Sequence, residues 1–123
     1  MIEGINHTSF HIVAPEDTAI AQGSGQLKVL ATPRLVALME NAAMLTVAPS
    51  LSPEETTVGG QISITHLAPS AVGTEIAATA VLEKVEGRKL TFSVSAKEGD
   101  KLIGEGTHIR FIVNKEKFMA KLK

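Results

Sequence analysis

Glu40 is the only charged residue between Leu35 and Val47, in a run that puts apolar residues on every face of a helix. An isolated carboxylate there pays a desolvation cost unless it is hydrogen-bonded, protonated or opened onto a water-filled site. That marks it as a candidate for chemistry. A short positioned carboxylate can attack an acyl carbon or hold a water for attack, and an imidazole titrating near neutrality can move the accompanying proton. His66 offers such an imidazole on an alternating segment, and Gly59-Gly60 just before it leaves room for close backbone approach.

These residues need a frame, and the chain marks its elements clearly. Thr32-Pro33 precedes the apolar run and Pro49 follows it, so the sequence predicts a nearly buried helix with Thr32 as its cap and Pro33 at its first helical position. Before it, Thr8 to Val13 alternates as a short strand, and Ala14 to Lys28, punctuated by Gly23-Ser24-Gly25, reads as a mobile loop. After it, Pro49 to Thr57 reads as a turn-rich connection. Four extended segments follow, Val58 to Ala68, Thr74 to Val85, Leu90 to Ala96 and Lys101 to Asn114. In the last, Ile103, Thr107, Ile109, Phe111 and Val113 are expected to share one face. The links between these segments are short, which favours an antiparallel meander over parallel crossovers. The tail from Lys115 to Lys123 reads as a solvated terminal helix.

Composition bounds the function. A length of 123 residues suggests one domain over 1–123, with a real core. Hydrophobic residues make up 44% of the chain and the net charge is -1, which argues against disorder and against a nucleic-acid binder. With no cysteine there is no disulfide, thiolate metal site or thiol nucleophile. No segment approaches the roughly 20 apolar residues of a membrane span, and no export signal is visible at Met1-Ile2-Glu3-Gly4, so a cytoplasmic protein is expected.

A long apolar helix wrapped by a meandering antiparallel sheet is an α+β arrangement of the hotdog type. Particular residues strengthen the likeness: Ala31-Thr32-Pro33-Arg34-Leu35 leading to Met39-Glu40, then Ile64-Thr65-His66, then Val85-Glu86-Gly87-Arg88 running to Ala96, then Ile103-Gly104-Glu105-Gly106-Thr107-His108-Ile109-Arg110-Phe111. Together these resemble the fluoroacetyl-CoA thioesterase branch of the hotdog acyl-CoA thioesterases. The likeness runs from about Leu30 to Phe118 and is densest between Glu86 and Phe111. It implies that Thr32, Glu40 and His66 act together on a thioester, that Gly59 helps line the site, and that the protein is a homodimer with sites at the protomer interface. It further implies a small-molecule acyl-CoA substrate, with coenzyme A entering only as part of that substrate and no separate cofactor. In one respect the chain departs from the pattern. Closing a site over a tiny acyl group calls for bulk in the lid, whereas Gln22 to Leu30 contains glycines and no aromatic residue.

Thioester hydrolysis requires an activated nucleophile, a proton for the leaving thiolate and stabilisation of the oxyanion. Glu40 and His66 suit the first two, and backbone N–H groups at Gly59-Gly60 or the start of the helix suit the third. Eight residues of helix rise roughly 12 Å, so Thr32 and Glu40 cannot touch within one straight helix. Either Thr32 folds back from the preceding loop or a second protomer completes the site, and a composite dimer site is the expectation. Plainer readings stand beside these: Thr32 as a cap, His66 as a structural histidine, Gly59-Gly60 as a turn or bulge, and Glu40 bonded to backbone or Asn41. His7, His11 and His108 lack a comparable setting; His108 reads as sheet-facing and structural, and no metal site is expected. Arg34, Arg88, Lys89 and Arg110 are available to the phosphates of coenzyme A and read equally well as surface charges. The rival functions are a hotdog enoyl hydratase or dehydratase and a non-catalytic acyl-CoA-binding module.

Overall fold

Five strands and one long helix carry the architecture in the computed structural model, which describes residues 1–122. In chain order they are β1 (Asn6–Ile12), a single-turn helix α1 (Ala19–Gln22), α2 (Thr32–Val47), β2 (Glu55–His66), β3 (Glu75–Glu86), β4 (Lys89–Glu98), β5 (Lys101–Asn114) and a terminal helix α3 (Lys115–Ala120). The sheet runs β1-β3-β4-β5-β2 with every neighbouring pair antiparallel, so β1 and β2 are its edges. Two-residue turns join β3 to β4 and β4 to β5, pairing Glu86 with Lys89 and Glu98 with Lys101.

The core forms where one stripe of α2 meets the inner face of the sheet. Leu35, Leu38, Met39, Ala42, Ala43 and Val47 recur at helical spacing and are buried, facing Ile76, Ala78, Ala80 and Leu82 of β3 and Leu90, Phe92, Val94 and Ala96 of β4. Alternation through Leu82 in β3, where a bulge at Glu83 ends it, and through Ala96 in β4 places one face of each strand in the dry core. The helix is less enclosed than its composition predicts. The sheet covers one side only, leaving Ala37, Asn41 and Leu45 exposed on the other.

Two bulges set which side chains reach α2. Gly59 pairs with Arg110 and Gln61 with Ile109, so Gly60 is an extra residue in β2. Likewise Ala96 pairs with Gly104 and Lys97 with Leu102, which makes Ile103 the extra residue in β5. The second bulge overturns the expected face of β5. Ile103 is in the core, but beyond it the phase changes: Gly104, His108 and Arg110 point toward the helix side, while Thr107 and Phe111 are exposed. His108 and Arg110 are 1% and 7% exposed, so neither lies on the outer surface. In β1 the apolar Phe10 and Ile12 face outward and Ser9 is the buried residue, bonded through Oγ to Asn41 Oδ1 at 2.7 Å.

The stretch expected to be a mobile loop is tied down at several points. Buried Asp17 receives the Ala14 N–H at 2.8 Å, Arg34 Nε at 3.1 Å and His11 Nε2 at 2.6 Å, and its carbonyl accepts from Ala31 N at 2.9 Å. Ala19 N–H donates to the Val29 carbonyl at 2.8 Å. The segment therefore folds back as a small lobe against the start of α2. At the far end, Asn114 Oδ1 caps α3 by accepting from Lys117 N at 2.9 Å; the rest of the expected tail helix ends at Ala120, and Lys123 lies outside the described residues.

Candidate active site

Thr32 is the first residue of α2 rather than its cap; Ala31 holds the cap position, and no side chain caps that end. Pro33 accordingly sits second. Freed from capping, the Thr32 hydroxyl lies 2.7 Å from Nδ1 of His66, the last residue of β2. The other ring nitrogen, Nε2, is buried without a hydrogen-bond partner. With the neutral ring's proton on Nε2, Nδ1 keeps its lone pair and the threonine hydroxyl donates to it. Burial pushes the His66 pKa below its usual value, the Ala68 carbonyl opposing, which keeps the ring neutral and able to accept at physiological pH. This pair opens onto a cleft of about 300 Å³ walled by Val29, Leu30, Leu67, Ala68 and Pro69. Its apolar lining suits an acyl chain.

Glu40 lies two turns along α2 and belongs to a different cluster. It is half-buried, and its Oε2 sits 3.1 Å from the point a Cβ on Gly59 would occupy. His108 Cε1 and Arg110 NH1 approach the same point, at 3.5 and 3.6 Å. Among the described residues Glu40 has neither a hydrogen bond nor an ion pair, so the plain reading of a carboxylate satisfied by Asn41 does not hold; Asn41 is engaged by Ser9 instead. Gly59 thus faces the carboxylate. Gly60 faces the other way, where a Cβ would fall 2.5 Å from the Phe111 ring, and its place is explained by the bulge.

Beneath Glu40 runs a polar chain that sequence reasoning missed. His108 Nδ1 is 2.7 Å from the Gln61 carbonyl, which can only accept, so that nitrogen carries the proton. Nε2 then accepts from Arg110 NH1 at 3.2 Å, while Arg110 donates through Nε to Thr57 Oγ1 at 2.8 Å and through NH2 to the Thr57 carbonyl at 2.9 Å. Burial is the largest influence on both titrating groups and lowers both; Glu40 acts in the opposite direction on each. The missed signal was a phase signal. With strict alternation His108 and Arg110 fall on the outer face, and only the extra residue at Ile103 turns them inward.

Within one chain the geometry brings Thr32 and His66 together, and separately Glu40 and Gly59. It does not join the two clusters. The chemistry available is therefore a hydroxyl held by a neutral imidazole at one place and a carboxylate over bare backbone at another.

The likeness to known proteins extends over nearly the whole chain. A model of the fluoroacetyl-CoA-specific thioesterase family matches residues 13–116. The chain is 39% identical over 117 residues to fluoroacetyl-CoA thioesterase from Streptantibioticus cattleyicolor, covering 95% of this chain and 82% of that protein. A threonine-to-serine variant of a fluoroacetyl-CoA thioesterase, solved in complex with acetyl-CoA, superposes with a TM-score of 0.94 at 37% identity, over 99% of this chain and 96% of the other. A thioesterase-superfamily member from Thermus thermophilus gives 0.90 at 30% identity, over 98% and 90%.

Proposed function

Given that this chain belongs to the fluoroacetyl-CoA-specific thioesterase family, a family of hotdog acyl-CoA thioesterases, we propose that it hydrolyses short- or medium-chain acyl-CoA thioesters in a site assembled from two copies of itself. The observation that carries this is the Thr32–His66 hydrogen bond at the mouth of an apolar cleft, two helical turns from an unpaired carboxylate over Gly59. The two halves are too far apart to cooperate in one protomer, at roughly 12 Å along the helix. A homodimer resolves the distance if Thr32 and His66 of one copy face Glu40 and Gly59 of its partner. β2 supports this: it is a 12-residue edge strand carrying Gly59 and ending at His66, and an unpaired edge is a template for a second copy.

In the proposed reaction, water held by Glu40 attacks the thioester carbonyl and gives its proton to the carboxylate. Backbone N–H groups around the Gly59-Gly60 bulge receive the developing oxyanion, the bare Gly59 permitting close approach. As the carbon–sulfur bond breaks, the proton taken up by Glu40 passes to the departing thiolate, which restores the carboxylate, while the Thr32–His66 pair orients the reacting groups. Coenzyme A is a substrate in this scheme, and no further cofactor takes part. The cleft, about 300 Å³ with no aromatic wall, favours acyl groups longer than two carbons. An aqueous, reducing compartment such as the cytoplasm suits a chain without cysteine, and among the described residues no helix is long and apolar enough to cross a membrane.

Release of free thiol from a series of acyl-CoAs tests the proposal. Turnover should be greatest for a short or medium chain, and Glu40→Gln should lower kcat by about 100-fold or more while leaving the fold intact, because size is kept and basicity is lost. Tight binding without turnover would favour an acyl-CoA-binding module, and a fully active Glu40→Gln would remove the carboxylate from the chemistry.

A further inference from the structure

Thr32 is exposed at the first residue of α2, where helix ends fray, no side chain caps the terminus and Pro33 has no N–H to serve as an anchor. Its hydroxyl nevertheless lies 2.7 Å from His66 Nδ1. Burial does not hold it there. The contacts that flank it belong to one residue, Asp17, whose carbonyl accepts from Ala31 N at 2.9 Å and whose Oδ1 accepts from Arg34 Nε at 3.1 Å. The chain is therefore held immediately before Thr32 and again two positions after it. Asp17 is itself fixed: its Oδ2 takes the Ala14 N–H at 2.8 Å and meets His11 Nε2 of β1 at 2.6 Å, and the residue is 5% exposed.

We propose that Asp17 is a positioning residue: with Arg34 as its forward arm, it brackets Thr32 and holds the threonine hydroxyl against His66. This rests on the reading of Thr32 and His66 as parts of a hydrolytic site. Fastening the lobe does not by itself call for a charge, because backbone pairing already ties Thr18 to Leu30, Ala19 to Val29 and Leu30 to Ser70. A buried carboxylate carries a desolvation cost that a neutral fastening avoids, and three donors are gathered around this one to offset it. What the charge adds is a link from the lobe to the first turn of α2, made through a guanidinium whose planar fork restricts the geometry of the contact. Precision matters at that point, since a displacement of roughly 1 Å near a reacting group can lower a rate by about 100-fold. Ala19 and Ser24, the part of the lobe that lines the cleft, follow Asp17 closely in the chain. One anchor thus sets both the cleft wall and the hydroxyl.

Two measurements test the assignment, one of geometry and one of rate. In a crystal structure of Asp17→Ala the separation of Thr32 Oγ1 and His66 Nδ1 should open from 2.7 Å to beyond about 3.5 Å. An unchanged separation overturns the bracket, whether or not the protein hydrolyses thioesters. Should Asp17→Ala fail to fold, Arg34→Met leaves the other bonds of Asp17 in place and is judged by the same separation. Kinetics with acetyl-CoA and hexanoyl-CoA then compare Arg34→Met, Arg34→Lys, Thr32→Ala and the double variant Arg34→Met/Thr32→Ala, with circular dichroism as a control for folding. Arg34→Met should lower kcat by about tenfold with KM within about threefold, and Arg34→Lys should recover part of that loss. Because Arg34 acts through Thr32, its removal should cost no more than about twofold further once Thr32 is alanine. A tenfold further loss in the double variant marks a merely structural Arg34, and a kcat within about twofold of the parent in Arg34→Met leaves it no role; either result overturns the assignment. A parent without turnover, or a fully active Thr32→Ala, removes the hydrolytic reading of Thr32 and leaves the bracket to be judged by the separation.

Discussion

Glu40 and His66 sit in opposite electrostatic settings, and the division of labour proposed for them follows from that difference. The carboxylate faces a buried cation across open space, while the imidazole faces a hydroxyl and a carbonyl. Burial holds the His66 pKa below its usual value of about 6.5. The sign is then set. As pH falls through that lowered value the ring gains a proton, Nδ1 loses its lone pair and Thr32 loses its acceptor. The acidic limb of the kcat profile should therefore lie below pH 6.5, with a plateau from about pH 7 to 8. A limb centred above pH 7 would contradict a half-buried His66 as the titrating group. At this scale Glu40 was legible in the sequence because a lone charge in an apolar run is conspicuous. Its neighbours were not, because Arg110 and His108 become its neighbours only through a phase change that no residue type announces.

At the scale of elements, legibility tracked regularity. β3 as far as Leu82 and β4 as far as Ala96 alternate without a bulge, and their inward faces match the expected ones. The edges behave differently. β1 turns Phe10 and Ile12 outward, since an edge strand flanking the helix uses Ser9 to reach Asn41. The start of α2 also escaped sequence reading, because the anchor that replaces a side-chain cap comes from Asp17, well before Ala31 in the chain and in a segment rich in loop residues. Asp17 also predicts a pH dependence. Although burial, the largest influence, raises its pKa, the Ala14 N–H, His11 and Arg34 together hold it below the usual carboxylate value. A depressed acid contributes stability that is fully present above the unfolded value of about 4 and is lost as pH falls through the folded one. Asp17→Asn should cost about 1 to 3 kcal/mol at pH 7, read as a lower Tm. The gap from the parent should narrow toward pH 3; a gap that stays constant would mean that Asp17 acts by shape alone.

At the scale of the molecule, the proposal that one chain is incomplete as a catalyst rests on two features of the fold. A straight helix places Thr32 and Glu40 on the same element and thereby keeps them apart, and the sheet leaves one flank of that helix uncovered. Both features support the proposed completion of each site by a second copy, with β2 as the edge along which it would pair. Co-expression of Glu40→Ala chains with His66→Ala chains tests this most directly. Each variant alone should be inactive. If the halves come from different protomers, a heterodimer holds one intact site and one doubly damaged site, so an equal mixture should recover about a quarter of the parent activity by random pairing of a two-fold dimer. A mixture as inactive as either variant alone would contradict the shared site.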